Sequence, residues 1–273
     1  MTITEIKREN MAYKSTVTID GIEMTYGTFG DGEKKLVIIP GLSVPKVTDS
    51  INAVEKAYEV FKKDYTVYLF DRRLNAPDGY TIHDMAEDTF RVMRHLGIGL
   101  CDLIGTSQGG MIAMNIAGEH PSAVHKLVLA STCGRITEES ASVFACWKAL
   151  AEAGEYEKLA RDFAVRIYSS KLAKAASEFL AAQSKTYTAS DIKRFIIMDS
   201  ALLSGDFSDC IRRIQCKSMI VSSKGDQVFS IDVQKELCDK LGGEFCAYGE
   251  EYGHAVYDEA PDYIERVYNF LAE

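Results

Sequence analysis

The chain has 273 residues, 47% of them hydrophobic, and a formal net charge of −9 at pH 7. That length suits one large α/β domain, or a domain carrying an insertion. The acidic balance argues against nucleic acid or an anionic membrane surface as a partner.

The first ten residues are polar and lack the apolar core of a secretory signal, and no apolar run approaches a membrane span. The seven cysteines (Cys101, Cys133, Cys146, Cys210, Cys216, Cys238 and Cys246) are scattered, with no C-x-x-C pair and no zinc-ligand spacing. They read as reduced, partly buried thiols of a cytoplasmic protein with no metal.

Ser15–Asp20 and Ile22–Thr28 are rich in Thr, Ile, Val and Tyr and meet at Asp20-Gly21, which predicts a hairpin. Leu36-Val37-Ile38-Ile39 is a continuous apolar run, the pattern of a strand buried on both faces. Helical spacing follows over Ser50–Lys63. Tyr65–Phe70 is a further strand, ending at an Asp71-Arg72-Arg73 turn. Thr81–Leu96 is a helix with Thr81 and Asp84 at its cap and first turn, and Gly97 ends it. A strand at Cys101–Ile104 leads through Gly105-Thr106-Ser107-Gln108-Gly109 into a helix around Met111–Ala117, and Val124–Ala130 is the next strand. Lys217–Ser222 and Glu244–Tyr248 are the last strands, with helices near Ile231–Leu241 and Pro261–Leu271. This alternation predicts an α/β fold: a mainly parallel, doubly wound sheet with an antiparallel edge.

The rhythm breaks between Arg135 and about Ile214. That stretch contains no proline, and its apolar residues fall at helical spacing. It reads as a helical insertion, giving a core of residues 1–134 and 215–273 and a helical cap of 135–214 that covers the sheet's carboxyl edge. Phe144, Trp147, Phe163, Phe179 and Phe195 are candidates to line an apolar pocket beneath it, or simply core. No internal repeat or low-complexity tract is evident.

Gly105-Thr106-Ser107-Gln108-Gly109 between a strand and a helix resembles the nucleophile elbow of the α/β-hydrolases. The serine there sits on a turn so sharp that its backbone is strained, and glycine flanks it because side chains would collide with neighbouring backbone. Its hydroxyl is held at the start of a helix, where free N–H groups favour developing negative charge. A serine hydroxyl needs a base, and the base needs a third group to orient it. In the resembling family the order is Ser, acid, His.

Of the five histidines, only His254 follows a candidate acid; His83, His95, His120 and His125 lie on or beside helices and at a strand start. Asp226 sits in Ser222-Ser223-Lys224-Gly225-Asp226, the loop leaving the carboxyl end of a strand, where open α/β sheets place their sites. The preceding strand's exit, Ser131-Thr132-Cys133-Gly134, offers no carboxylate, and Asp232 and Asp239 fall within the following helix. An oxyanion hole needs two convergent backbone N–H groups. Gln108, after the serine, and Leu42, in the Pro40-Gly41-Leu42-Ser43 loop, are the candidates. Arg72 and Arg73 have two readings, a bidentate grip on a substrate carboxylate or a tie holding their own loop.

The Pro40-Gly41 loop, the elbow, Glu119-His120-Pro121, Gly225-Asp226 and Gly253-His254 together resemble a cap-bearing α/β-hydrolase over essentially the whole chain. Around the elbow and Glu119-His120-Pro121 the likeness is to the small-ester and lactone branch, including enol-lactone hydrolases. Members often carry His-Gly where this chain has Pro40-Gly41, a change that keeps the backbone donor. The resemblance implies serine-dependent hydrolysis of a small carboxylic ester, lactone or thioester through Ser107, His254 and Asp226, with no cofactor and a small-molecule substrate as partner. Carbon–carbon bond hydrolysis on the same triad, or a non-catalytic receptor of the same fold, are the alternatives. Neither the substrate nor the oligomeric state is legible.

Overall fold

The structure, a computed structural model, describes residues 12–203 and 205–273; the polar amino-terminal stretch read above lies outside them. Eight strands form one sheet: β1 (Tyr13–Ile19), β2 (Ile22–Phe29), β3 (Lys34–Ile39), β4 (Tyr65–Arg73), β5 (Cys101–Thr106), β6 (Val124–Ala130), β7 (Lys217–Ser223) and β8 (Glu244–Tyr248). Their order across the sheet is β1-β2-β4-β3-β5-β6-β7-β8. The β1/β2 and β2/β4 pairs are antiparallel and the remainder parallel, so the expected α/β sheet with an antiparallel edge is present. Asp20 and Gly21 both take positive φ, 48° and 77°, which matches the right-handed twist of the hairpin they join.

β3 shows why its sequence is apolar at every position. Leu36 and Ile38 face one core with Phe61, Tyr263, Val267 and Phe270, while Val37 and Ile39 face another with Val92, Ile112 and Leu237. The helices α1 (Ile51–Ala57) and α11 (Tyr263–Ala272) cover the first face. The second is covered by α2 (Ile82–His95), α3 (Gln108–Glu119) and α9 (Ile231–Leu241). Thr81 and Asp84 make the expected reciprocal cap on α2.

Two local readings are corrected. The single helix expected over Ser50–Lys63 is α1 alone, flanked by 3₁₀ turns at Val47–Ser50 and Glu59–Lys63. Phe61 is drawn fully inward, its ring 5.6 Å from Tyr65 and 5.3 Å from Tyr268, which a continuing α-helix would not satisfy. Asp71-Arg72-Arg73 is not a turn but the end of β4, because Arg73 pairs with Met24 beyond a bulge in β4, where Asp71 and Arg72 oppose Thr25 alone.

Between β6 and β7 the described residues form α4 (Glu138–Glu152), α5 (Tyr156–Ile167), α6 (Ser170–Ser184), α7 (Ala189–Ser200) and the short α8 (Ser208–Ile211). The segment leaves and re-enters at one place: Phe207 N–H donates to Gly134 O, and Ile136 N–H donates to Gly205 O. A further short helix, α10 (Val256–Glu259), precedes α11 and was not legible in the sequence.

Candidate active site

β5 delivers Ser107 at its carboxyl end, immediately before α3. Ser107 has φ 52° and ψ −122°, a strained conformation for a residue with a side chain. A Cβ at Gly105 would come within 2.5 Å of Gly109 O, and one at Gly109 would overlap the Ile39 and Pro40 carbonyls. The crowding expected of the flanking glycines is therefore present.

His254 lies between β8 and α10, and Asp226 between β7 and α9. His254 Nδ1 is 3.0 Å from Asp226 Oδ1 and 2.9 Å from Oδ2. Val228 and Phe229 N–H donate to Oδ1 at 2.8 and 2.9 Å, and Gln234 Nε2 donates to Oδ2 at 3.0 Å. An ionised carboxylate only accepts, so Nδ1 carries the proton and Nε2 is left as the basic nitrogen. All three residues are buried, with Ser107 7%, Asp226 9% and His254 2% exposed.

The loop after β6 holds the serine and the histidine to one framework. Ser107 N–H donates to Ala130 O at 2.9 Å, and Thr132 Oγ1 donates to Ser107 O at 2.8 Å. Between them, Ser131 Oγ donates to His254 O at 2.5 Å. Ser223 Oγ adds a bond to Gly253 O at 2.7 Å. Among the described residues no hydrogen bond reaches Ser107 Oγ; such bonds are often open in unliganded sites and close around substrate. Sequence reasoning missed Ser131, Thr132, Ser223 and Gln234, since hydroxyls and amides near strand ends look the same whether they brace a site or face water.

The Pro40-Gly41-Leu42 loop passes directly over the elbow: a Cβ on Gly41 would lie 3.2 Å from Ser107 Cβ. The backbone N–H groups of Leu42 and Gln108 donate to no other described residue. Buried charge shapes this loop. Asp71 accepts from Val47 N–H at 2.8 Å, from Thr48 N–H at 3.2 Å and from Thr48 Oγ1. Burial nonetheless pushes its carboxyl above the usual range, with those bonds and Arg194 opposing. Arg194 Nη2 donates to Val44 O at 2.9 Å.

Arg72 is buried and turned to the loop and the elbow. Its Nη2 donates to Pro40 O at 2.5 Å and its Nε to Gln108 Oε1 at 3.3 Å, while Gln108 Nε2 donates to Met198 O at 2.8 Å. Burial lowers the Arg72 pKa to about 10, with Asp71 opposing. Arg73 pairs with Asp88 at 3.1 Å. Both arginines are ties rather than free grips on substrate, correcting the pocket reading of Arg72.

A cavity of about 280 Å³ begins beside the elbow, with Gly41, Leu42 and Thr106 in its wall, and is roofed by Leu159, Phe163 and Ile167 of α5. Trp147 and Phe144, read from the sequence as pocket candidates, do not line it. Trp147 is 2% exposed, packs at a tilt against Phe163 with ring centroids 4.5 Å apart, and donates from Nε1 to Asp162 at 2.8 Å. Phe144 is 1% exposed and packs on Phe229, whose ring lies 5.6 Å from that of His254. Phe195 is fully buried and Phe179 is exposed on α6. Helical spacing marks a buried face, but not whether that face meets a cavity or a neighbouring helix.

Asp199, next to Met198, is fully buried on α7, and neither carboxylate oxygen has a partner among the described residues. Burial raises its pKa to about 8, with Lys148 opposing and Glu152 adding. The folded state thus keeps a proton that the unfolded chain releases near pH 4, so stability falls as pH rises between those values. Asp199→Asn should flatten that slope. Between about pH 5 and about pH 7 the native chain should lose roughly 2–3 kcal/mol relative to the variant in urea unfolding. Parallel pH profiles would refute the assignment.

The comparisons with known proteins agree with this architecture. Residues 36–164 match the family model described as alpha/beta hydrolase fold. A protein of Serratia proteamaculans named as a carbamate hydrolase, RutD, is 24% identical over 198 residues, covering 71% of this chain and 73% of its own. MGS-M2, an alpha/beta hydrolase enzyme from a deep-sea metagenome, superposes with a TM-score of 0.84 at 21% identity, over 95% of this chain and 98% of its own. The enol-lactonase from Burkholderia xenovorans LB400 superposes at 0.81 and 19% identity, over 95% of this chain and all of its own. The elbow, the sheet order and these likenesses agree: the chain has the α/β-hydrolase fold.

Proposed function

We propose that the chain is a serine hydrolase of small carboxylic esters, lactones or thioesters. The observation that carries this reading is the Asp226 carboxylate, surrounded by donors, which fixes the proton of His254 on Nδ1. Ser107 Oγ attacks the carbonyl carbon as His254 Nε2 takes its proton, and the backbone N–H groups of Leu42 and Gln108 receive the oxyanion. The tetrahedral species collapses to an acyl-serine, and His254 returns the proton to the leaving oxygen or sulfur. Water, deprotonated by His254, then attacks the acyl carbon, and the serine oxygen leaves with the proton.

The helices α4–α7 act as the cap of this site, with residues 135–214 as the cap and 1–134 and 215–273 as the core. Support comes from their ties to it: Met198 O to Gln108, Arg194 to Val44 O, and Ala255 N–H donating to Ile167 O at 2.8 Å. The seven free cysteines, four of them buried, favour a reducing, cytoplasmic setting. Among the described residues no helix is long and apolar enough to cross a membrane.

The test is a screen of esters of graded acyl length, aryl esters, lactones, thioesters and carbon–carbon substrates, with Ser107→Ala as background. Turnover confined to carbon–carbon substrates, or none at all, would overturn the reading. Within that screen, Phe163→Ala should change the preference among acyl lengths more than it changes an acetyl ester. Trp147→Ala should instead destabilise the fold by about 3–5 kcal/mol, as loss of a fully buried ring and a hydrogen bond demands. A Trp147 variant of native stability with altered chain-length preference would reverse that distinction.

A further inference from the structure

The cavity beside Ser107 continues past the roof of α5 to a second, chemically different end. There its wall is Tyr58, Tyr168, Tyr257 and Asp258, the last lying four positions after His254. No lysine, arginine or histidine contributes to the wall, so Asp258 is its one carboxylate and carries its one formal charge. Asp258 forms no ion pair among the described residues. The neighbouring Glu259 is already used: it accepts from Ser169 N–H at 2.7 Å and from Gly253 N–H at 3.3 Å.

We propose that this end of the cavity binds an organic ammonium group of the substrate, held by the Asp258 carboxylate and the faces of the surrounding tyrosine rings. The inference deepens the hydrolase reading above and rests on it for the word substrate. Asp258 is exposed, so its carboxylate is open to an entering cation, and no other charge on the cavity wall competes for it. Tyrosine rings add an attraction for cations through their negative faces.

The electrostatics of the cluster agree. Desolvation raises the Asp258 carboxyl to about 6, Glu259 adding and the Tyr168 hydroxyl opposing, but the residue is exposed and its carboxylate is ionised at neutral pH. Tyr168 is pushed up to about 12 by burial and then by the Asp258 charge, and Tyr58 and Tyr257 are raised by the same two causes. The phenols therefore stay neutral and present rings and hydroxyls, with the negative charge on Asp258 alone.

Two probes of one shape and different charge test this without turnover: choline and its uncharged isostere 3,3-dimethylbutan-1-ol, titrated calorimetrically into the native chain. Choline should bind about tenfold more tightly or better, and Asp258→Asn should bring the two within about threefold. Asp258→Ser, a second removal of the charge, should do the same, with thermal melts checking that both variants fold. Equal affinities in the native chain, no choline binding, or a preference that survives both substitutions would overturn the proposal.

Aryl esters ending in trimethylammonium or tert-butyl groups carry the same comparison into catalysis. If choline is preferred but neither ester is hydrolysed, the hydrolase reading fails and the cation site stands. Ser107-dependent hydrolysis of both esters at equal kcat/KM, without choline preference, does the reverse.

Discussion

Replacing Ser107 with alanine is expected to lower ester turnover by on the order of 10⁴–10⁶ while leaving the fold intact, since members of a triad act as a unit. The side chain is small, and alanine meets the same backbone strain at φ 52° as serine does. The two hydrogen bonds that fix the elbow's position, to Ala130 O and from Thr132 Oγ1, use backbone atoms and survive the substitution. Thermal melting and steady-state kinetics on one preparation check both halves. A variant with near-native kcat would remove Ser107 from the chemistry.

Asp226→Asn is expected to cost about 10³–10⁴ in kcat, by analogy with the serine-protease triad. The structure gives a specific reason. The groups around this carboxylate are all donors: Val228 and Phe229 N–H on one oxygen, Gln234 Nε2 on the other, and His254 Nδ1 across both. An asparagine that keeps its oxygen toward the two backbone amides presents its NH₂ to Gln234 and His254. His254 then accepts at Nδ1 and carries its proton on Nε2, the wrong tautomer for taking a proton from serine. Asp232→Asn, on α9 and outside this cluster, should be nearly silent. Reversal of the two effects would mean that the acid is not Asp226.

Much of this was legible in the sequence because it is written in local patterns. β6 and β8 match the strands expected from the sequence residue for residue, and the elbow declares itself because Gly105 and Gly109 have no steric alternative. Asp226 and His254 were placed by strand exits and chain order, both properties of the backbone path. What stayed hidden depends on pairings between distant segments. Arg73 belongs to β4 only because Met24 lies opposite it, and Arg72 kept two readings because its acceptors, Pro40 O and Gln108 Oε1, lie 32 and 36 residues away. Likewise the departure from His-Gly at Pro40-Gly41 is matched by Asp71, Arg72 and Arg194 bonding the loop from behind, a combination no motif announces. Trp147 and Phe163 share the same spacing signal, yet only Phe163 reaches the cavity, because α4 packs behind α5.

The central claim is that Ser107 is an activated nucleophile, and a fluorophosphonate tests it without any choice of substrate. Its phosphorus is attacked by the serine oxygen, fluoride leaves, and a stable covalent adduct remains. Intact-mass spectrometry followed by peptide mapping should find one adduct per chain, on the peptide containing Ser107. Labelling should be abolished in Ser107→Ala and greatly slowed in His254→Ala, which removes the base. No adduct, an adduct on another residue, or labelling of Ser107 at an undiminished rate without His254 would contradict the account.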